Sequence, residues 1–335
     1  MNYFNKVLVI AEVGVNHNGD INIAKTLCKA AKDTGADVVK FQTWITEKII
    51  TRNVEQAEYQ RENTGRDESQ FNMLKSLELS YDEFTEVKKY CDEIGITFAS
   101  TADEEDSLDF LVELGIPFIK VGSGDVGNIP FLRYIGQKKL PVILSTGMST
   151  LADVEMSLKA LQDGGASEIT LLHCTTNYPC PYAAVNLKAM DTLKNAFGLP
   201  VGYSDHTEGI EVAVAAVARG AGIIEKHFTL DKNMEGPDHK ASTEPAEFKA
   251  MVESIRHIES ALGSGVKQPT TAEQEISKVV LKRIVAKRGI KAGQVICEDD
   301  LCVKRNDVGV PANAWDIIVG SVARKDYIVD EGIEI

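Results

Sequence analysis

Eight short runs rich in β-branched residues recur before residue 230, and nearly all of them end in a residue that can take part in chemistry. The runs are Val7–Gly14, Asp37–Trp44, Thr97–Thr101, Phe118–Gly124, Pro141–Met148, Glu168–Thr175, Val201–Thr207 and Gly222–Phe228. Apolar runs of this length are typical of buried parallel strands, whose polar ends open into a site formed by the following loops. The pattern predicts the α/β class, as a (β/α)₈ TIM barrel that functions at the carboxyl ends of its strands.

Helical patterns separate these runs, as parallel βαβ units require. The predicted helices are Ile21–Thr34, Tyr81–Ile94, Glu104–Leu114, Leu151–Asp163, Leu187–Phe197, Ile210–Arg219 and Pro245–Leu262. The connection Ile45–Ser80 is long and polar, so we expect a lid or a substrate-contacting loop there.

A chain of 335 residues can hold one barrel of about 250 residues and a small second domain. We predict a catalytic barrel over residues 1–262, a linker rich in Gly, Pro and Thr over 263–277, and a small, mostly β domain over 278–335. The strands predicted for that domain are Val279–Ala286, Leu301–Lys304 and Asp316–Val322.

Composition excludes several classes of partner. The 50 acidic and 36 basic residues give a net charge of −14, which argues against binding to nucleic acid or to an acidic membrane surface. No stretch reaches the roughly 18 apolar residues of a membrane-spanning helix, and we expect a cytoplasmic protein. The six cysteines lack C-x-x-C spacing, so we expect reduced thiols.

Two histidines end neighbouring strands. His206 closes the seventh predicted strand in GYSDHT, and His227 closes the eighth in IEKHFT. Two imidazoles with open coordination positions suit a divalent metal that must also bind substrate. The alternative is a pair of hydrogen-bonded structural histidines.

Two lysines lie in otherwise apolar strands. A buried ammonium group needs an anion, so Lys40 and Lys120 each require a neighbouring carboxylate or a substrate phosphate, or act as a Schiff-base lysine. The turns that contain Ser123 and Ser145 offer hydroxyl and backbone N–H groups, as in an oxyanion or phosphate cradle.

Several carboxylates are predicted at the mouth of the barrel. Strand alternation points Asp205 and Glu225 away from the histidine that follows each, so we expect salt bridges rather than metal ligation. Glu12 and Asp125 are placed to bind sugar hydroxyls or to move protons, and Asp238 lies in a polar loop after the eighth strand.

Seven motifs carry a family resemblance: AEVGVNHNGD, VVKFQTW, ILSTGM, LLHCTTNYP, GYSDHT, EKHFTLD and GPDHKAS. They resemble the sialic acid synthases, meaning bacterial N-acetylneuraminate synthases and their legionaminate and pseudaminate relatives. The resemblance includes a C-terminal antifreeze-like (SAF) domain, from about Lys278 to Ile335. It implies a transferase that condenses phosphoenolpyruvate with the open aldehyde form of an N-acetylated hexose and releases phosphate.

The resemblance also implies roles for individual residues. His206 and His227 would hold a divalent metal, Mn²⁺ first, with Mg²⁺ or Co²⁺ as alternatives. Contacts to phosphoenolpyruvate would come from Lys40, Thr101, Lys120, Ser123, Ser145, Thr176, Tyr178 and Ser204. Contacts to the sugar would come from Glu12, Gln42, Tyr178, Asp238 and Arg305, the last from the partner in a homodimer that exchanges C-terminal domains. Catalysis would rest on Asp125, Glu12 and Lys120, with Asp125 standing where many relatives carry Glu.

The loop Glu55–Asn72 resembles those of legionaminate-type and N-acetylneuraminate-type members, which favours N-acetylneuraminate or N,N'-diacetyllegionaminate as product. The sequence leaves open a pseudaminate synthase and a Schiff-base pyruvate aldolase on the same barrel. It also leaves open a binding protein with an inactive barrel.

Overall fold

The computed structural model describes residues 6–56, 61, 63 and 68–334. Eight parallel strands form a closed barrel in sequence order. They are β1 (Leu8–Gly14), β2 (Val38–Thr43), β3 (Thr97–Ala102), β4 (Ile119–Val121), β5 (Val142–Ser145), β6 (Ile169–His173), β7 (Val201–Asp205) and β8 (Ile223–His227). The predicted TIM barrel is confirmed, and each strand lies within or next to its predicted run.

Helices follow the strands. They are α1 (Ile21–Asp33), α2 (Thr46–Ile49), α3 (Gln70–Leu77), α4 (Tyr81–Ile94), α5 (Glu105–Leu114), α6 (Ile129–Gln137), α7 (Leu151–Gly164), α8 (Ala189–Phe197), α9 (Glu211–Ala218), α10 (Pro245–Leu262), α11 (Thr271–Val280) and α12 (Trp315–Ile318). All seven predicted helices are present. Across the described ranges, no helix has the length and apolar character needed to span a bilayer.

The boundaries of α4 show how local sequence sets a helix. The Ser80 hydroxyl accepts from the backbone N–H of Glu83, and the Glu83 carboxylate accepts from the backbone N–H of Ser80. This reciprocal capping satisfies two donors that a helix start leaves unpaired. The helix ends at Gly95, whose φ of 73° lies in the left-handed region that glycine adopts without strain.

The connection 45–80 is not a plain loop, because it contains α2 and α3. The α3 helix begins where the Ser69 side chain accepts from the backbone N–H of Asn72. Residues 57–60, 62 and 64–67 of the predicted substrate loop, and the last residue of the predicted C-terminal domain, lie outside the described residues. The helix α6 was missed by sequence reasoning, although Pro130 fits its first turn.

The barrel core has two layers. Inside the barrel, Ile10, Val38, Ala99, Ile143, Leu172 and Ile223 form a buried cluster. A larger apolar layer fills the space between the strands and the helices. Polar side chains replace these apolar ones toward the carboxyl ends of the strands, which leaves a buried polar region there.

Strand register brings the polar ends together. Glu12 of β1 pairs in register with Lys40 of β2 on one side and with His227 of β8 on the other. Thr101 of β3 pairs with Lys120 of β4. Residues far apart in sequence therefore share one end of the barrel.

Residues Ser264–Ile335 form a second compact unit, next in sequence to a first unit of Met1–Gly263. Strands β9 (Lys282–Ala286) and β10 (Leu301–Arg305) pair antiparallel over a small core that includes Ile284 and Ile290.

The secondary structure of this unit differs from the expected one in two places. The predicted linker contains most of α11, because Thr270 and Glu273 form a capping box that starts a helix. The predicted strand Asp316–Val322 is replaced at its start by α12.

Candidate active site at the carboxyl ends of the strands

Two buried lysines, on β2 and β4, contact side chains on β1, β3 and β5. Lys40 Nζ lies 2.7 Å from Glu12 Oε2 and donates to Thr101 Oγ1 at 3.0 Å. Lys120 Nζ donates to Ser145 Oγ at 2.8 Å. A buried ammonium group is stable only beside such partners.

Glu225 joins the two lysines. Its Oε1 lies 3.5 Å from Lys120 Nζ, and its Oε2 lies 3.7 Å from Lys40 Nζ. The Ser204 hydroxyl donates to Glu225 Oε1 at 2.9 Å. Burial disfavours the Glu225 carboxylate, but the two lysine charges and this hydroxyl outweigh burial and lower its pKa to about 2.

Both expected salt bridges are present, but the expected orientation holds for Asp205 alone. Glu225 precedes His227 by two residues, so both side chains lie on the same face of β8. Glu225 pairs with the lysines of the site, and Asp205 Oδ2 lies 2.7 Å from Lys226 Nζ, with both groups buried.

Burial and neighbouring charges shift the pKa values of Glu12 and Lys40. Burial, reinforced by the charge of Glu225, raises the pKa of Glu12 to about 7 although Lys40 opposes the shift. Burial alone would lower the pKa of Lys40, but the charges of Glu12 and Glu225 outweigh it and raise that pKa. Lys40 is therefore held as an ammonium group, and Glu12 is placed to exchange a proton near neutral pH.

The two histidines lie side by side. The ring centroids of His206 and His227 are 5.6 Å apart. Nδ1 of His206 is 2.7 Å from the Thr175 carbonyl oxygen, which can only accept, so Nδ1 carries the proton and Nε2 keeps a free lone pair. Burial lowers the pKa of His206, and burial together with His206 lowers the pKa of His227 to about 3.

This pair fits a divalent metal. Nδ1 of His227 is buried and has no hydrogen-bond partner in the described parts of the chain. Among the residues that the structure describes, no cluster of three or more His, Cys, Asp or Glu has metal-binding geometry. The two imidazoles would leave coordination positions open for substrate or water.

One aromatic ring contacts both histidines, and one amide side chain contacts Glu12. The Tyr178 ring centroid lies 4.2 Å from that of His206 and meets His227 edge-on at 5.7 Å. Gln42 Nε2 donates to Glu12 Oε1 at 3.3 Å, which links the predicted sugar residues to the lysine network.

A small cup of hydroxyl groups lies at the turn after β5. The backbone N–H of Gly147 donates to Ser123 Oγ at 2.9 Å, and Ser123 Oγ lies 3.2 Å from Cys174 Sγ. A Cβ placed on Gly147 would clash with Thr176 Oγ1, so the backbone at this position lies too close to the hydroxyl group for any side chain. Cys174 was not predicted as a site residue, although it directly follows β6.

Further carboxyl groups lie in the segments that follow β3, β4 and β8. Burial raises the pKa of Asp125, whose Oδ1 accepts from Asn128 Nδ2 at 3.0 Å. Burial also raises the pKa of Asp238 to about 6. Sequence reasoning did not assign a role to Asp103, where burial and the charge of Asp125 raise the pKa to about 7.

The structure thus brings the predicted barrel residues to one end of the barrel. Arg305 lies at the end of β10 in the second unit, with an exposed side chain, and its role stays a prediction.

A (β/α)₈ barrel with buried lysines and a pair of histidines at the carboxyl ends of its strands is typical of an enzyme. Comparison with known proteins identifies the family of this chain. The NeuB family model matches residues 27–267, and the SAF domain model matches residues 283–333. The chain belongs to the NeuB family, which confirms the resemblance to sialic acid synthases.

Two relatives carry the same name. The N,N'-diacetyllegionaminic acid synthase of Campylobacter jejuni is 48% identical over 97% of this chain and 98% of its own. That of Legionella pneumophila is 46% identical over 93% of this chain and 89% of its own. The crystal structure of N-acetylneuraminic acid synthetase from Leptospira borgpetersenii, in complex with citrate, has a TM-score of 0.72 and 34% identity, covering 81% of this chain and 90% of that one.

Proposed function

We propose that this protein condenses phosphoenolpyruvate with 2,4-diacetamido-2,4,6-trideoxymannose to give N,N'-diacetyllegionaminate and phosphate. The observation that carries the proposal is the pair of buried lysines, with their hydroxyl partners, beside the two neutral histidines. The names of the two similar synthases support this sugar over N-acetylmannosamine and over the substrate of a pseudaminate synthase.

The phosphate group of phosphoenolpyruvate would lie between the two lysines and the hydroxyl cup. Its contacts would come from Lys40, Thr101, Lys120, Ser123 and Ser145, and those to the rest of the molecule from Thr176, Tyr178 and Ser204. Ammonium and hydroxyl donors that are already oriented stabilise charge on a departing phosphate at little cost in reorganisation. Glu12, Gln42, Tyr178 and Asp238 would bind the sugar.

A divalent metal, Mn²⁺ first and Mg²⁺ or Co²⁺ as alternatives, would be held by His206 and His227 and would polarise the aldehyde oxygen of the sugar. The orientation of His206 by the Thr175 carbonyl prepares its Nε2 for this role.

Carbon–carbon bond formation would be followed by cleavage of a carbon–oxygen bond. The C3 carbon of phosphoenolpyruvate attacks the aldehyde carbon, and the aldehyde oxygen takes up a proton. A water molecule then adds at C2 and gives up one proton, which leaves a hydroxyl and the phosphate ester on the same carbon. The bond between C2 and the bridging oxygen breaks, the phosphate leaves with that oxygen and takes up the hydroxyl proton, and C2 becomes the carbonyl carbon of the product. Glu12, whose pKa is raised to about 7, and Asp125, whose pKa is raised by burial, would move these protons.

The aldolase alternative requires an uncharged lysine amine as nucleophile. Lys40 instead lies 2.7 Å from a carboxylate, and its pKa is raised. Lys120 lies 3.5 Å from Glu225. A carboxylate beside each of the two amines supports the synthase.

The test is turnover with each sugar. We expect phosphate release from phosphoenolpyruvate only when a sugar is present, with a higher kcat/KM for the diacetamido sugar than for N-acetylmannosamine. The reverse preference would assign the N-acetylneuraminate product. Trapping of a pyruvate adduct by borohydride, with no phosphate released, would establish the aldolase.

We also propose a cytoplasmic homodimer with exchanged C-terminal units, in which Arg305 binds the sugar in the partner's barrel. Mixing two inactive variants tests this arrangement. Lys120→Ala and Arg305→Ala chains, refolded together, should regain activity because one mixed site carries neither change. A mixture as inactive as its components would refute the exchange.

A further inference from the structure

We propose that Glu225 is a positioning residue: its carboxylate holds Lys40 and Lys120 in place before substrate binds and weakens their hold on phosphate, so that the product leaves. This inference rests on the proposed function, because it concerns the same lysines. In the proposed function Glu225 neither holds the metal nor contacts the sugar, and the inference gives this carboxylate a role.

The geometry makes Glu225 a bridge across the barrel. The residue lies on β8, whereas its two lysine partners lie on β2 and β4, which do not neighbour β8. Only its long side chain, extending into the barrel interior, can meet both. The Ser204 hydroxyl fixes Oε1, while Oε2 accepts no hydrogen bond within the described residues. The carboxylate is therefore held toward the lysines by charge.

The two lysines depend on Glu225 to different degrees. Lys40 has a second carboxylate, Glu12 Oε2 at 2.7 Å, which is closer than Glu225. Lys120 otherwise donates to the Ser145 hydroxyl and, at 3.3 Å, to the Val121 carbonyl oxygen. Glu225 is thus the carboxylate that balances the charge of Lys120 before substrate arrives.

The same proximity opposes anion binding. A phosphate that contacts both ammonium groups comes near a carboxylate already placed within 3.5 and 3.7 Å of them. Repulsion between two anions is strong in a site that excludes water. The lysines alone would retain inorganic phosphate, whereas the carboxylate between them limits how long the product stays.

The test is product inhibition in Glu225→Gln, which keeps the shape of the side chain and removes its charge. We expect the Ki of inorganic phosphate to fall by about fivefold or more, because the competing anion is lost. We expect kcat and the KM for phosphoenolpyruvate to fall together, as they do when ground-state binding is tightened. A general disturbance of the site would raise KM instead.

Two further variants make the result specific. Glu225→Asp keeps the charge but withdraws it from both lysines by one methylene, so its phosphate Ki should lie between those of wild type and Glu225→Gln. Glu155→Gln removes an exposed carboxylate on α7 and should leave the phosphate Ki at the wild-type value. A folded Glu225→Gln whose phosphate Ki is equal to or above the wild-type value would overturn the proposal.

Calorimetric binding of inorganic phosphate separates this inference from the proposed function. If wild type binds phosphate but never releases it from phosphoenolpyruvate, the function is wrong, while the comparison of variants still tests Glu225. If Glu225→Gln does not fold, the Asp variant takes its place, and a Ki no lower than that of wild type overturns the inference.

Discussion

Gly147 offers a direct test of the hydroxyl cup, because a single methyl group should disable it. A Cβ at this position would lie 2.3 Å from Thr176 Oγ1, 2.8 Å from Ser123 Oγ and 3.1 Å from Cys174 Sγ. Real Cβ atoms essentially never approach another heavy atom within 3.0 Å, so Thr176 Oγ1 must retreat by at least 3.0 − 2.3 = 0.7 Å. Gly147→Ala therefore displaces Thr176 and Ser123, two predicted contacts of phosphoenolpyruvate.

The expected loss is larger in activity than in stability. Displacement of a binding group by about 1 Å can cost on the order of 100-fold in rate, and we expect kcat/KM for phosphoenolpyruvate to fall by about that factor. Overpacking costs about 1–3 kcal/mol, which lowers the Tm of a barrel of this size by roughly 2–10 °C. Steady-state kinetics and thermal unfolding measure the two effects on one preparation.

Gly124→Ala is the matched control. A Cβ at Gly124 meets nothing within 4 Å, and its φ lies outside the left-handed region. The same change in the neighbouring loop should leave kcat/KM within about twofold of wild type. If Gly147→Ala were as active as this control, the cup would not bind the substrate. A partial gain of activity in Gly147→Ala/Thr176→Ala would place the clash at the threonine hydroxyl.

Three further results are expected. Chelation with EDTA should abolish turnover, with recovery on Mn²⁺ addition in wild type but not in His206→Ala; undiminished activity after chelation would refute the metal. Lys120→Met should raise the KM for phosphoenolpyruvate and lower kcat, and wild-type kinetics would remove this lysine from the site. Burial lowers the pKa of His17 and of His239 to about 4, so these rings stay neutral in the fold while unfolded chains protonate near pH 6.5. The free energy of unfolding should therefore decrease as the pH falls from 6.5 toward 4, by about 2 kcal/mol per histidine at pH 5. Equal midpoints of urea unfolding at pH 7.5 and at pH 5 would contradict this prediction.

Sequence reasoning could place the barrel and much of the site because both depend on periodic features. Apolar runs that end in Lys40, Lys120, His206 and His227 identify strands and the end at which their chemistry lies. The closed order of the strands then makes β7 and β8 neighbours, which brings the two histidines within 5.6 Å.

Contacts across the barrel could not be predicted in the same way. Glu225 reaches lysines on strands that do not neighbour its own, and that depends on side-chain length and barrel curvature rather than on spacing. The position of Cys174 against Ser123 arises from the close approach at Gly147, for which the sequence shows only a glycine.

The predicted boundaries of helices differ from the structure where two local sequence signals compete. The Thr270–Glu273 capping box begins α11 in a stretch whose Gly and Pro content indicates a linker. Helix α6 follows a glycine-rich turn that hides its start, although its buried residues Phe131, Leu132 and Ile135 have helical spacing.

The fate of the bridging oxygen of phosphoenolpyruvate tests the central claim most directly. With ¹⁸O in the C2–O–P bridge and the diacetamido sugar as co-substrate, mass spectrometry of the products follows that oxygen. We predict inorganic phosphate that carries the label and a nine-carbon acid that does not. Unlabelled phosphate, with the label retained in the organic product, would show cleavage at phosphorus and would contradict the account.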